Sequence, residues 1–223
     1  MLYPSFPTKA IGIFAPSAGV GHKIASFNKS LNNISASGLK IKEIGNVRAD
    51  ALRPDSGMNR GENFNNLVSD NNIEMIISAA GGEFCLECLP YIDCKNFTNN
   101  PKWVCGASDP TSILYYLTTA CDVATIYGFN AGTFDWEPLH PFQERALSII
   151  NGKVVTQHSF DKYDDNRDFS KEELTLDGEV YWELYNCSDK KLDVSGRIIG
   201  GCSDVIAMLP GTPYDHTTEF LDR

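Results

Sequence analysis

Long apolar runs are missing from this chain. The longest, residues 10–15 and 75–80, are broken by Gly, Pro or charge well short of the ~20 residues that a membrane span requires. Positive charge is also scarce: 19 Lys and Arg stand against 29 Asp and Glu, a formal charge of −10. A surface offered to a nucleic-acid backbone or an anionic membrane would work against the field of the whole molecule. Neither partner is expected. Met1-Leu2-Tyr3-Pro4 brings no basic segment, long apolar core or small-residue cleavage site, so no export signal is read there. The seven cysteines (Cys85, Cys88, Cys94, Cys105, Cys121, Cys187 and Cys202) are odd in number and scattered through apolar segments. That suits reduced thiols of a cytoplasmic protein better than a disulfide framework. Cys85 and Cys88 have the spacing of half a zinc site, but no second Cys or His pair stands at ligand spacing, so no metal is expected.

What is present is 223 residues, 42% hydrophobic and 22% charged, the composition of a soluble globular chain of one large domain or two small ones. Internal repeats and low-complexity tracts are not found. Residues 10–16 read as a buried strand opening into the small-residue loop Ser17-Ala18-Gly19-Val20-Gly21. Ile24, Phe27, Leu31 and Ile34 then recur at helical spacing, and Gly38 stops that helix before a strand at 39–44. The alternation continues with a helix at 62–70, a strand at 73–80, a short helix at 84–89, a strand at 103–106, a helix at 110–120, a strand at 123–127 and a helix at 141–151. Strands separated by single helices require right-handed crossovers. Residues 1–152 are therefore expected to form an α/β domain, a three-layer open parallel sheet of flavodoxin or Rossmann type, with ligands at the carboxyl ends of the strands.

The rhythm changes after Asn151. Residues 153–175 are charged and read as a solvated connection. Residues 176–223 read as the opening of a smaller mixed β/α domain, with a strand at 179–185 and a short helix at 203–209. That segment is too small for an independent core, and the chain is expected to be cut short.

The strongest chemical signal is Val104-Cys105-Gly106-Ala107-Ser108-Asp109-Pro110-Thr111, where a buried strand turns at once into a helix. A hydroxyl on such a corner is held over the top of the sheet, near the first helical amides, where an oxyanion would develop. Gly106 supplies the room. The competing reading makes Ser108 or Asp109 an ordinary N-cap before Pro110. Gly81-Gly82 ends another buried strand, and its amides could complete an oxyanion hole facing Ser108, or it is a plain turn. His22, His140, His158 and His216 are each open as a base for Ser108 or as solvated loop residues. Trp136 and Trp182 are candidate stacking surfaces for a planar ligand or half-buried packing. A flavodoxin-like nucleotide binder is a further reading, but Gly19-Val20-Gly21 lacks the third glycine of a phosphate fingerprint.

Taken in order, Ala15-Pro16-Ser17, Gly81-Gly82, Leu89-Pro90-Tyr91-Ile92-Asp93, Pro101-Lys102, residues 106–111, residues 196–201 and Gly211-Thr212-Pro213-Tyr214 resemble the LD-carboxypeptidase family. Ala80-Gly81-Gly82-Glu83-Phe84, Asn130-Ala131-Gly132-Thr133 and residues 136–141 are closer to the branch similar to the microcin C immunity carboxypeptidase than to the murein-recycling branch. The resemblance implies a serine peptidase with a Ser-Glu-His triad and no cofactor. It would remove a C-terminal residue from a murein-type peptide or an aminoacyl or peptidyl nucleotide conjugate. Ser108 would be the nucleophile, the amides of Gly81, Gly82 and Asp109 the oxyanion hole, and Trp182 a surface for a base. Relatives imply a homodimer. The family's Glu and His come later than Arg223, and Glu219 lacks the strand context, so the chain alone is expected to be inactive. The alternative is a homologue that binds the ligand without cleaving it.

Overall fold

Three short segments, AIGIF, MIIS and WVCG, are buried at every position, which in a parallel sheet means that both faces are covered. In the computed structural model they are β1 (Ala10–Phe14), β3 (Met75–Ser78) and β4 (Trp103–Gly106). With β2 (Lys40–Glu43) and β5 (Ile126–Tyr127) they form one parallel sheet in the order β2-β1-β3-β4-β5. The structure describes residues 1–7, 9–153, 156–166, 175–188 and 191–223. The α/β architecture expected from the alternation is the one observed.

Side chains leave the strands with period two and feed two separate apolar clusters. Ile11, Ile13, Met75, Ile77, Trp103 and Cys105 face Phe27, Leu31 and Ile34 of α1 (Ile24–Ser35). Phe14, Ile76 and Val104 face Phe64, Leu67 and Val68 of α2 (Gly57–Ser69) and Ile113, Leu114 and Leu117 of α4 (Thr111–Cys121). A 3-10 segment, Cys85–Tyr91, and α3 (Cys94–Asn99) pack on this second face. Burying each of these large side chains contributes about 1.5–3 kcal/mol. The chain continues into α5 (Pro141–Ile150), and α6 (Ser203–Ile206) and α7 (Thr217–Leu221) lie near its end. Among the described residues no helix is long and apolar enough to cross a membrane.

Several boundaries differ from expectation. The polar helix expected at 62–70 starts five residues earlier, because Ser56 accepts the Asn59 amide proton (3.1 Å) and caps it. Helix α3 was not anticipated; Asp93 caps it through the Asn96 amide (2.9 Å). The strand expected at 179–185 is reduced to β7 (Gly178–Glu179), paired antiparallel with β6 (Lys162–Tyr163). Tyr181, Trp182 and Tyr185 are exposed, so no apolar face rewards extending the ladder. Part of the expected charged connection, residues 154–155 and 167–174, lies outside the described residues.

The chain divides into two compact units: residues 1–153 with 199–223, and residues 154–198. Residues 199–223 thus fold with the sheet, whereas the sequence grouped them with 176–198. Ile199, Ile206, Leu209 and Tyr214 join the cluster over α4.

One buried cation ties the rim of the sheet together. Arg60 of α2 is 1% exposed and donates to the Pro16 carbonyl after β1 (2.5 Å), the Phe84 carbonyl after β3 (3.0 Å) and the Glu87 carboxylate (2.5 Å). Replacing it strands these acceptors. Arg60→Met is expected to lower stability by about 2–4 kcal/mol, read as an earlier urea midpoint at unchanged m-value; an unchanged midpoint would contradict this role.

Candidate active site

Strand β4 ends at Gly106, and α4 begins five residues later at Thr111. The chain reverses within that interval, and Ser108 takes φ 67°. A left-handed conformation costs a residue with a Cβ roughly 1–2 kcal/mol, so something must hold it. Four contacts do. The Asn130 side chain clasps the preceding residue, its Oδ1 accepting the Ala107 amide proton (3.0 Å) and its Nδ2 donating to the Ala107 carbonyl (3.2 Å). Tyr127 Oη accepts the Ser108 amide proton (3.3 Å). The Ser108 carbonyl accepts from the Thr111 amide (2.9 Å) and hydroxyl (2.6 Å). The Asp109 carboxylate, 2% exposed, turns inward to accept the Ser17 hydroxyl and the Cys85 amide (2.8 Å).

These contacts rule out the reading of Ser108 or Asp109 as a side-chain N-cap. No side chain caps α4, whose N-cap is Pro110. The Asp109 carboxylate is committed below, and Ser108 is exposed, its hydroxyl making no hydrogen bond among the described residues. Gly106 fits here because a Cβ would come within 2.7 Å of Pro110 Cβ.

The paired-glycine turn comes up against the same residue. A Cβ on Gly81 would lie 3.1 Å from Ser108 Cβ and 3.3 Å from its Oγ, so only glycine leaves this face of the hydroxyl open. The Gly81 carbonyl accepts the Ala18 amide proton (3.2 Å), while the amides of Gly81, Gly82 and Asp109 donate no hydrogen bond among the described residues. Unengaged amides are unusual in a folded chain. Beneath the turn, Cys85 and Cys88 are buried. Burial pushes the Cys85 thiol well above its usual range; the Cys88 thiol is held down by a hydrogen bond from Cys85, with a smaller contribution from the Arg60 charge. Among the described residues no cluster of His, Cys, Asp or Glu is placed to hold a metal.

The other candidates lie elsewhere. Within the first unit, His140 caps α5 and stands edge-on to Trp136, with ring centroids 5.8 Å apart. His216 lies against the Tyr116 ring and 4.0 Å from Glu219 on α7, and His22 sits in a 3-10 turn. None is hydrogen-bonded to Ser108. His158 and Trp182 belong to the second unit, where Trp182 is 81% exposed. The segment containing Gly200-Gly201 reaches the start of α4, and the Cys202 amide donates to Thr111 Oγ1 (3.0 Å). Sequence reasoning gave no site role to Ser17, Tyr127 or Asn130. Ser17 lay inside a segment quoted for its order along the chain and Asn130 inside one quoted for its likeness to a family branch, but nothing in their spacing announced contact with the corner after β4. Tyr127 was legible only as the last residue of a strand.

The left-handed turn has a measurable signature. Ser108→Gly and Ser108→Ala both remove the hydroxyl, and only glycine relieves the backbone. The glycine variant is expected to be about 1 kcal/mol the more stable of the two, measured by urea unfolding. The reverse order would show that Ser108 is not strained.

With this geometry established, comparisons place the chain among known proteins. The family model described as the LD-carboxypeptidase N-terminal domain matches residues 11–128, more than half of the chain. A Vibrio cholerae protein that carries a provisional carboxypeptidase name is 29% identical over 217 residues, 92% of this chain and 63% of its own length. Among solved structures, the microcin C7 self-immunity protein in complex with aspartyl sulfamoyl adenosine superposes with a TM-score of 0.75 at 23% identity. That match covers 96% of this chain and 66% of the other. A muramoyltetrapeptide carboxypeptidase from Oxalobacter formigenes superposes with a TM-score of 0.54 at 17% identity, covering 61% of this chain and 45% of the other. The chain thus spans somewhat less than two thirds of the length of the first two relatives. The structural likenesses establish the fold, and the matched family model establishes the kinship: the chain belongs to the LD-carboxypeptidase family, through the N-terminal domain that it contains.

Proposed function

We propose that this chain is the nucleophile-bearing part of a serine carboxypeptidase, with Ser108 as the attacking group and the amides of Gly81, Gly82 and Asp109 as the oxyanion hole. The observation that carries the reading is the juxtaposition at one rim of an outward-held, unpartnered hydroxyl and a set of unengaged amides. Attack on a carbonyl turns its oxygen into an anion, and fixed N–H donors stabilise that charge without reorganising.

A serine hydroxyl is a poor nucleophile unless a base takes its proton and a carboxylate orients that base. The family resemblance assigns these tasks to a Glu and a His, and no residue of this chain is given either role. Among the described residues of the first unit nothing accepts the Ser108 proton. The 223 residues alone are therefore inactive in this reading. Loss of one concerted triad member costs on the order of 10⁴ to 10⁶ in turnover in a well-studied serine protease.

The substrate class is a murein-type peptide or an aminoacyl or peptidyl nucleotide conjugate. The support is that one structural neighbour holds an aspartyl sulfamoyl adenosine and another is named for a muramoyl tetrapeptide. Trp182, exposed in the second unit, is proposed as a stacking surface for the base of such a conjugate. The working form is proposed as a cytoplasmic homodimer. A non-catalytic binding homologue is the second reading, favoured by the absence of a proton acceptor at Ser108 among the described residues of the first unit.

The complete gene product is expected to release the C-terminal residue of an LD-linked tetrapeptide or an aminoacyl sulfamoyl adenosine. Ser108→Ala should cut that rate by about 10⁴-fold or more, and the 223-residue chain should release no more than its own Ser108→Ala variant. Release by the isolated chain at an ordinary peptidase rate would refute its inactivity. Binding without release by the complete product would establish the second reading. Trp182→Ala should weaken the nucleotide conjugate and leave the peptide unaffected; unchanged conjugate affinity would dismiss the stacking role.

A further inference from the structure

Ser108 has two flanks. The sheet order places β3 on one side of β4 and β5 on the other. The loop after β3 supplies Gly81 and Gly82, whereas the last residue of β5 is Tyr127, in register with Gly106. Tyr127 is 47% exposed, and its oxygen accepts the Ser108 amide proton at 3.3 Å. A phenol that accepts through a lone pair keeps its own proton to give away. Among the described residues the Tyr127 hydroxyl has no acceptor for it. Ser108 Oγ lies within roughly 4 Å of its own nitrogen by covalent geometry in any rotamer, so a free O–H donor stands at most about 7 Å from the attacking oxygen.

The side on which that donor stands decides what it can serve. Once the carbonyl oxygen is directed to the amides on the β3 side, a group on the β5 side faces the rest of the substrate. In a carboxypeptidase the residue that leaves carries the terminal carboxylate, the strongest hydrogen-bond acceptor near the reacting bond. We infer that Tyr127 is a specificity-determining residue whose hydroxyl donates to the terminal carboxylate of the leaving residue, while its oxygen anchors the Ser108 amide. The inference rests on the carboxypeptidase reading and adds to it the residue that recognises the acid end of the substrate. Asn130 then completes the flank as a positioning residue, fixing Ala107 and hence the direction in which Ser108 leaves the strand.

The test compares an LD-linked tetrapeptide with its C-terminal carboxamide, measured for binding by calorimetry and for release by mass spectrometry on the complete gene product. The parent is expected to bind the acid at least tenfold more tightly than the amide. Tyr127→Phe, which keeps the ring and the fold, should reduce that ratio to near one by weakening the acid alone. An equal loss for acid and amide would show that the hydroxyl only anchors the serine and would overturn the inference. So would a preference unchanged in the variant, or none in the parent. Undiminished release by Ser108→Ala would instead defeat the underlying peptidase reading, so the two failures are distinguishable.

Discussion

The inward turn of one carboxylate organises the rim of this sheet. Asp109 is almost wholly buried, and it accepts the hydroxyl of Ser17 from the loop after β1 and the amide of Cys85 from the segment after β3. Hydrogen bonds to a charged group contribute about 1.5–3 kcal/mol each, enough to hold the neighbouring residue in a conformation that costs roughly 1–2 kcal/mol. With the Asp109 side chain drawn inward to Ser17 and Cys85 and Pro110 opening α4, Ser108 is left on the outside of the bend. The exposure of its hydroxyl follows from where its neighbour is buried.

The same bond joins loops from three strands. Arg60 repeats the device with opposite charge, collecting carbonyls from the loops after β1 and β3. In a sheet of order 2-1-3-4-5 the loops diverge where the order reverses, between β1 and β3, and that crevice is where such folds bind ligands. A buried anion and a buried cation stitch its edges. Asn130 and Tyr127 hold the far side from the β5 end. The corner after β4 is thus fixed from both neighbouring strands, the condition for aiming a nucleophile within a few tenths of an ångström.

Much of this was legible in the sequence because it is written in local patterns. Buried strands read as apolar runs, α1 as Phe27, Leu31 and Ile34 at helical spacing, and the corner as a strand that meets Pro110 after Gly106. What escaped was either local chemistry masked by composition or contact over distance. Helix α2 begins at Gly57, capped by Ser56, in a polar stretch where apolar periodicity is faint, and α3 has only Phe97 buried. Residues 181–185 have the aromatic, apolar content of a strand but no covered face to reward it. The Asp109 side chain reads as an N-cap, and its role as a buried anchor depends on Ser17, 92 positions away. Tyr127 and Asn130 reach Ser108 and Ala107 only because β5 pairs with β4.

The central claim is that Ser108 is the hydroxyl this rim was built to present. Treating the complete gene product with a serine-directed fluorophosphonate and mapping the adduct by peptide mass spectrometry tests it most directly. A single adduct on Ser108, lost when the oxyanion face is blocked by Gly81→Val, is the result expected. An adduct on a different serine, or full labelling of the Gly81→Val protein, would contradict it.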